Sequence, residues 1–188
     1  MTNTVRPADC SDDAVRCQLV VALAQVTAFE RFRHDVFRWW PRSFTWSADC
    51  LEDLVFEGRK GGALWERGPE GLRCDMARVL RWVAPERMIL RWHVGPGGVP
   101  EPNPARASEV EIRFGRGESG TLIDLEHRAF FRHGKDGVEH RNLMAGRWPE
   151  ILQSFADFAT PVANTTSERR PLVDLSRDPV LKDLPALI

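Results

Sequence analysis

Two side chains in this sequence have the chemistry to contact a bound small molecule, Trp92 and His127. Trp92 lies near the end of one predicted strand. His127 lies on a later strand, where Ile123, Leu125 and His127 alternate with polar residues. Both side chains are therefore predicted to face the inside of a sheet. An indole supplies a flat apolar wall and an imidazole supplies a hydrogen bond, which is the mixture that ligand pockets use. The alternative is that both are ordinary core residues.

Other kinds of site chemistry have little support in the sequence. A histidine can act as a general base because its ordinary pKa is about 6.5, but no partner for His127 is evident. The five histidines and four cysteines lack the spacing of a zinc site. No glycine-rich turn precedes a helix in the way that phosphate binding requires. We expect no metal and no cofactor. Binding without catalysis is preferred, and His127 is a weak catalytic candidate if the protein is an enzyme.

The composition excludes several classes of partner. The chain has 188 residues, with 26 Lys and Arg against 27 Asp and Glu, so its formal net charge is -1. A charge so near zero gives no general attraction to nucleic acid, and we expect no nucleic-acid partner. Mean hydropathy is -0.34 and charges are scattered throughout, so no membrane span is predicted. The first residues lack an apolar leader segment, and the cysteines form no close pairs. We therefore expect a cytoplasmic protein with free thiols.

The hydrophobic pattern predicts one strand, a helix, and then a run of strands. The first strand is 17–23. Thr27 and Glu30 have the T-x-x-E spacing of a capping box, which opens a helix that Pro41 ends. Turn residues divide the chain that follows into strands. Their predicted ranges are 51–59, 63–67, 72–83, 88–94, 108–114 and 121–131.

A long amphipathic helix ends the predicted domain near residue 160. Asp136 and Glu139 form a second capping-box-like pair at its start, and Gly146 and Pro149 predict a kink or a break. Successive strands with short turns make an antiparallel sheet, and the helix has to cover its apolar face. The predicted fold is α+β, a curved antiparallel sheet wrapped around the long C-terminal helix, with a cavity between them.

The chain divides into three predicted parts. Residues 1–16 are expected to be a flexible N-terminal segment, and residues 17–160 form the folded domain. Residues 161–188 contain four prolines and nine large aliphatic residues, which is too apolar for a solvated linker. We expect this tail to dock on its own domain or on a neighbouring copy, so a homodimer is one alternative.

Five short segments occur in the order found in a known family. They are Gly61-Gly62 with Trp65-Glu66, Arg78-Val79-Leu80 to Ala84-Pro85-Glu86-Arg87, Leu90-Arg91-Trp92, Glu109 to Phe114 with Gly120-Thr121 and Leu125-Glu126-His127, and Trp148 to Leu152. Together they resemble the START-like, Bet v 1-like (SRPBCC) superfamily over about residues 17–159. More narrowly, they are similar to its branch of activator of Hsp90 ATPase C-terminal domains. The sequence departs from the family pattern at Ala77 and Arg147, where glycine is usual.

The resemblance implies a helix-grip fold that binds a small apolar molecule, such as a lipid, a polyketide or an aromatic compound. Two alternatives remain open. One is a polyketide cyclase or dehydratase that uses the same cavity, and the other is a protein-interaction module related to Hsp90 activators. The tryptophans at 39, 40 and 46 lie where the mouth of such a cavity is expected, and they either gate it or pack the helix end. The predicted ligand-binding residues are Trp65, Met76, Val79, Trp92, Ile112, Phe114, Ile123, Leu125, His127, Trp148, Leu152 and Phe155.

Overall fold

A computed structural model describes residues 4–11 and 13–160. The strands are β1 (Thr4–Ser11), β2 (Ala14–Val21), β3 (Asp53–Phe56), β4 (Ala63–Arg67), β5 (Arg73–Val83), β6 (Arg87–Trp92), β7 (Ser108–Gly117) and β8 (Gly120–Arg128). The helices are α1 (Gln25–His34), α2 (Val36–Trp39) and α3 (Gly137–Ala159). The predicted tail, residues 161–188, lies outside the described residues.

The strands form one antiparallel sheet in the order β1-β2-β8-β7-β6-β5-β4-β3. The later strands follow one another as hairpins, and β2 pairs with β8 along its whole length. Because side chains alternate across a strand, this register sets Val15, His127, Val110 and Leu90 in one row across four strands. All four are buried, so this row faces the core beneath α3. The predicted α+β helix-grip fold is confirmed.

The final helix covers the inner face of the sheet. Met144, Trp148, Ile151, Leu152 and Phe155 lie at helical spacing, and every one is buried. The helix is continuous from Gly137 to Ala159, so of the two predicted alternatives at Gly146 and Pro149 the division into two pieces is wrong. A proline inside a helix removes one backbone hydrogen bond, and burial of this stripe on both sides of it keeps the helix in place. The Asp136 side chain makes no capping hydrogen bond, so the capping pair is also wrong.

The N-terminal part is more ordered than predicted. Residues 4–11 form β1 at one edge of the sheet, and β2 begins at Ala14. The prediction of a flexible segment over 1–16 is therefore corrected for these residues. A strand at the edge of a sheet is paired along only one side and can carry mixed polar and apolar residues. Its sequence then lacks the hydrophobic alternation that predicts a strand.

The first helix also differs from its prediction. It begins at Gln25 after Ala24 and has no side-chain cap, so the capping box of Thr27 is wrong. The helical course is interrupted at Asp35, and α2 ends at Trp39 just before Pro41. Phe37 is exposed whereas Trp39 is buried, because the interruption turns the helical faces. Within the described ranges, no helix combines the length and the hydropathy needed to cross a bilayer.

Candidate functional site

Aromatic and aliphatic side chains fill the space between the sheet and α3. The cavity left between them has a volume of about 10 Å³, which is room for at most about one water molecule. The expected hollow is therefore closed in this structure. The side chains around this space are Phe32, Val36, Trp39, Trp40, Phe56, Leu64, Leu90, Trp92, Ile112 and Trp148.

Three tryptophans meet at the centre of this space, one from each layer. Trp40 follows α2, Trp92 ends β6, and Trp148 lies in the middle of α3. Their ring centroids are 5.3 Å apart for Trp92 and Trp148, 6.2 Å for Trp40 and Trp92, and 6.4 Å for Trp40 and Trp148. These are the separations of packed aromatic pairs. Trp40, Trp92 and Trp148 therefore form a packed group between α3 and the sheet, which we call the aromatic cluster.

The Trp92 indole N–H has no hydrogen-bond acceptor, although the residue is only 2% exposed. The nearby tryptophans are all satisfied: Trp39 donates to the Phe32 carbonyl, and Trp148 donates to His127. A buried donor without an acceptor costs about 1–3 kcal/mol. Trp92 therefore presents one unused donor inside an otherwise apolar region.

His127 is fully buried and both of its ring nitrogens are hydrogen-bonded. Nδ1 accepts the Trp148 indole N–H at 3.1 Å, and Nε2 lies 2.8 Å from the Ser108 hydroxyl. Because Nδ1 is an acceptor, the neutral ring carries its proton on Nε2 and donates it to Ser108. Burial lowers the pKa of His127 well below its ordinary value, and His140 and His133 lower it further. To act as an acid or base, His127 would have to break one of these bonds.

Two more buried histidines lie beside His127 where α3 begins. The ring of His140 is 4.8 Å from that of His133 and 6.2 Å from that of His127, centroid to centroid. Neither ring nitrogen of His133 has a hydrogen-bond partner among the described residues, and the His140 ring lies beside the Val94 backbone, which opposes the effect of burial on its pKa. Burial lowers the pKa of His140 to about 4, with a further contribution from His133. This pair is held neutral in the folded protein at pH 7.

A second cavity, of about 180 Å³, lies at one end of the aromatic cluster. We call it the mouth. It is lined by Ser43, Phe44, Thr45, Trp46, Met76, Val94, Gly97, Gly98 and Arg147. The Trp46 indole N–H donates to the Gly98 carbonyl at 2.6 Å, which ties the two loops together across the mouth. Arg147 lines the mouth and the next residue, Trp148, lines the aromatic cluster, so the two spaces are adjacent along α3.

Arg147 brings a positive charge to this mouth. Its guanidinium lies over the Phe44 ring, 5.4 Å from the centroid. Among the described residues, no carboxylate lies within ion-pair distance of Arg147. A half-buried cation of this kind favours an anionic group in the mouth.

Glu66 holds one side of the mouth in place. Its carboxylate is 1% exposed and accepts the Trp46 N–H at 2.9 Å, the Ser47 N–H at 2.8 Å and the Ser47 hydroxyl at 2.7 Å. The loop that carries Trp46 is therefore anchored to β4 by three charge-assisted hydrogen bonds. No pattern in the sequence links Glu66 to a loop twenty residues earlier.

The structure brings some predicted site residues together and separates others. Trp92, Ile112 and Trp148 line the aromatic cluster, His127 supports Trp148, and Met76 lines the mouth. The remaining inward residues are buried in the core outside these two spaces. They are Val79, Phe114, Ile123, Leu125, Leu152 and Phe155.

Trp65 was predicted to face the ligand, and this is wrong. It alternates with the buried residues Leu64 and Glu66, so it lies on the outer face of β4. There the Arg73 guanidinium stacks over its ring, 4.2 Å from the centroid. The tryptophans at 39 and 40 are buried in the core, as the packing alternative predicted.

The sequence matches a known protein family over most of its length. The family described as Activator of Hsp90 ATPase homolog 1-like protein matches residues 33–160. No curated protein matches the chain.

Solved structures share the fold across most of the chain. One is titled an anthrahydroquino-γ-pyrone synthase, Txn09, complexed with SUM; it is 31% identical, with a TM-score of 0.57, covering 78% of this chain and 96% of that one. A protein from Rhodobacter sphaeroides is 17% identical, with a TM-score of 0.59, covering 82% and 97%. CalU16 from Micromonospora echinospora is 17% identical, with a TM-score of 0.52, covering 85% of each chain. The last two show the fold alone.

Proposed function

Because the chain belongs to the family of Activator of Hsp90 ATPase homolog 1-like proteins, we propose that it binds a flat polycyclic aromatic molecule between its sheet and α3. Such a ligand enters through the mouth and lies among Trp40, Trp92 and Trp148. Aromatic faces bind planar rings by stacking, which each tryptophan of this cluster offers. The similarity to an anthrahydroquino-γ-pyrone synthase supports a ligand of this class.

The unused N–H of Trp92 is the observation that carries the proposal. Buried donors in native proteins are almost always paired, and an exception calls for an explanation. A carbonyl or phenol oxygen of the ligand would accept this N–H and remove its cost. Ring stacking would give affinity, and this one hydrogen bond would orient the ligand in the cluster.

Arg147 adds a second element of recognition. With no acidic partner among the residues described and with Phe44 beneath it, its guanidinium is available to an acidic phenol or carboxylate at the edge of the ligand. The ligand therefore carries its polar edge toward the mouth and its apolar rings toward the interior.

Binding requires the aromatic cluster to open. The mouth holds about 180 Å³, less than the roughly 300–1,000 Å³ of ordinary ligand sites. Residues 43–46 line the mouth and Trp40 lines the interior, so the segment that follows α2 connects the two spaces. Displacement of Trp40 and Trp46 would join the mouth to the interior, so we expect binding to be coupled to their movement.

Calorimetric titration with a dihydroxyanthraquinone carboxylate tests the binding proposal. We expect Arg147→Gln to weaken binding about tenfold, which is about 1.4 kcal/mol, and to leave the affinity for the uncharged methyl ester unchanged. Arg31→Gln, which removes an exposed arginine on α1, is the matched control. Equal affinities of wild type and Arg147→Gln for the acid would remove Arg147 from the site. Absence of any binding across several such ring systems would overturn the proposal.

A second candidate function is catalysis of pyrone ring closure in the same site, which the similarity to the synthase favours. In this reaction a phenol oxygen forms a bond to the far ketone carbon of an adjacent 1,3-diketone, and its proton passes to the ketone oxygen. The resulting hydroxyl then leaves with the neighbouring hydrogen as water. No oxidant is needed. The Trp92 N–H would polarise the ketone oxygen, and the cluster would hold the two groups together.

A 2-hydroxyaryl 1,3-diketone tests this second candidate, because its product absorbs at a different wavelength. We expect faster ring closure with the protein than in buffer, and Trp92→Phe to lower kcat more than it raises KM. A rate equal to that in buffer would discard catalysis and leave binding standing. A lipid ligand, an interaction module and a homodimer remain predictions.

A further inference from the structure

We propose that residues 161–188 fold back on the same chain, with Arg169 to Leu175 lying in an open groove beside α3. The groove has a volume of about 640 Å³. It is separate from the mouth, and Phe44 is the one residue that lines both. Its lining residues are Val5, Pro41, Phe44, Pro149, Glu150, Gln153, Ser154 and Asp157.

The groove has an apolar floor and an acidic rim. Val5, Pro41, Phe44 and Pro149 come from three separate parts of the chain and make the floor. On α3, Glu150, Gln153, Ser154 and Asp157 have the spacing of one helical face, so the two carboxylates lie two turns apart on the same rim. This is the face of α3 opposite to the stripe that packs on the sheet.

Both carboxylates lack a cationic partner. Glu150 and Asp157 are exposed, and among the described residues neither has a basic group within ion-pair distance. Asp157 accepts a hydrogen bond from Gln153 at 2.7 Å, which leaves its charge in place. The rim therefore favours a segment with two adjacent positive charges.

The tail carries such a segment at the right distance. Arg169 and Arg170 are followed by Pro171, Leu172 and Val173, then Leu175, so a basic pair leads directly into an apolar run. The helix ends at Ala159, and ten residues join Thr160 to Arg170. Ten residues can span up to about 33 Å, whereas seven helical residues from Asp157 back to Glu150 cover about 10 Å. The connection is long enough to reach the whole rim.

The extent of the family domain agrees with this assignment. The family match ends at residue 160 and α3 ends at Ala159, so the tail follows the last helix and the end of the family match. The groove begins within one turn of the point where that addition starts. An appended apolar segment gains most by covering the nearest apolar groove of its own domain, because the connection raises its local concentration there.

Hydrogen–deuterium exchange on the full chain tests the assignment. We expect peptides spanning 165–176 to be protected from exchange. The double variant Glu150→Arg with Asp157→Arg should reduce that protection about fivefold, because it removes two surface ion pairs. Adding Arg169→Glu and Arg170→Glu should restore it. The pair Glu70→Arg with Glu118→Arg reverses two exposed carboxylates far from the groove and serves as the matched control.

Three results would overturn the proposal. The first is unprotected exchange of 165–176 in the wild-type chain, and the second is protection that is the same in all variants. The third is protection that rises with protein concentration, because the segment would then lie on a second copy. Leu172→Ser with Val173→Ser provides an independent check, since it should release the segment without altering any charge. None of these readings depends on a bound ligand.

Discussion

Glu66 is the buried residue whose loss should have the largest local effect. Glu66→Ala removes the acceptor of three hydrogen bonds and leaves the N–H groups of Trp46 and Ser47 without partners. We expect the free energy of unfolding to fall by about 2–4 kcal/mol in a urea titration. Glu118→Ala, at an exposed turn position, should change it by less than about 0.5 kcal/mol. Equal effects of the two variants would mean that the carboxylate does not hold the loop.

Residues on regular strands were predictable from the sequence, and residues fixed by distant partners were not. Trp92 and His127 face inward as alternation required, because strand periodicity alone sets the face. Trp65 faces outward because its neighbours on β4, Leu64 and Glu66, both face inward. The role of Arg147 depends on Phe44, a residue a hundred positions away, and no local pattern reports that contact.

His133 and His140 should make the junction of β8 and α3 sensitive to acid. Burial lowers the pKa of His140 to about 4, and burial also lowers that of His133. The charged groups that act on the pair are Glu101, Asp13, Arg106 and Arg147. Since the folded pKa is below the unfolded one, the unfolded chain binds more protons between about pH 6.5 and 4. Stability is therefore present above pH 6.5 and is lost as the pH falls to 4.

We expect the His140 site to account for roughly 2–3 kcal/mol of that loss. His140→Phe keeps a ring of similar shape in the same pocket and removes the titration, so its free energy of unfolding should vary less between pH 6.5 and 4. Urea titrations at several pH values measure this. An identical pH dependence in wild type and His140→Phe would show that His140 does not titrate in the way described.

Periodicity and turn residues predicted which segments are strands and which are helices. The ends of a strand were predictable where turn residues flank it, whereas the ends of the helices depend on packing. β4 has the predicted bounds, and β5 begins one residue late, because glycine and proline flank them. Both predicted capping pairs are wrong, because residues with this spacing are common in sequences. They form capping hydrogen bonds only where the backbone has the geometry of a helix N-terminus. α3 is not divided at Pro149, because buried contacts on both sides of the proline outweigh one lost backbone hydrogen bond.

At the scale of the whole molecule, the sheet and α3 enclose a closed cluster of three tryptophans next to a cationic mouth, and Trp92 is the one of the three whose indole N–H has no acceptor. The fold follows from the succession of strands along the chain and one covering helix, and the sequence predicted both except for β1. The closed interior did not follow, because the volume of a cavity depends on how Trp40, Trp92 and Trp148 pack together. The proposal of a ligand site therefore depends on Trp92 and on whether the cluster opens.

The most direct measurement is the indole N–H resonance of Trp92 during titration with a dihydroxyanthraquinone carboxylate. Trp92→Phe assigns the resonance by its disappearance from the ¹H–¹⁵N spectrum. A hydrogen bond to the ligand should move it downfield and slow its exchange with water. The resonance of Trp82, whose ring packs on Phe29 outside the aromatic cluster, should hardly change. A Trp92 resonance that stays in place at saturating ligand would contradict the account, because the donor would still lack its acceptor.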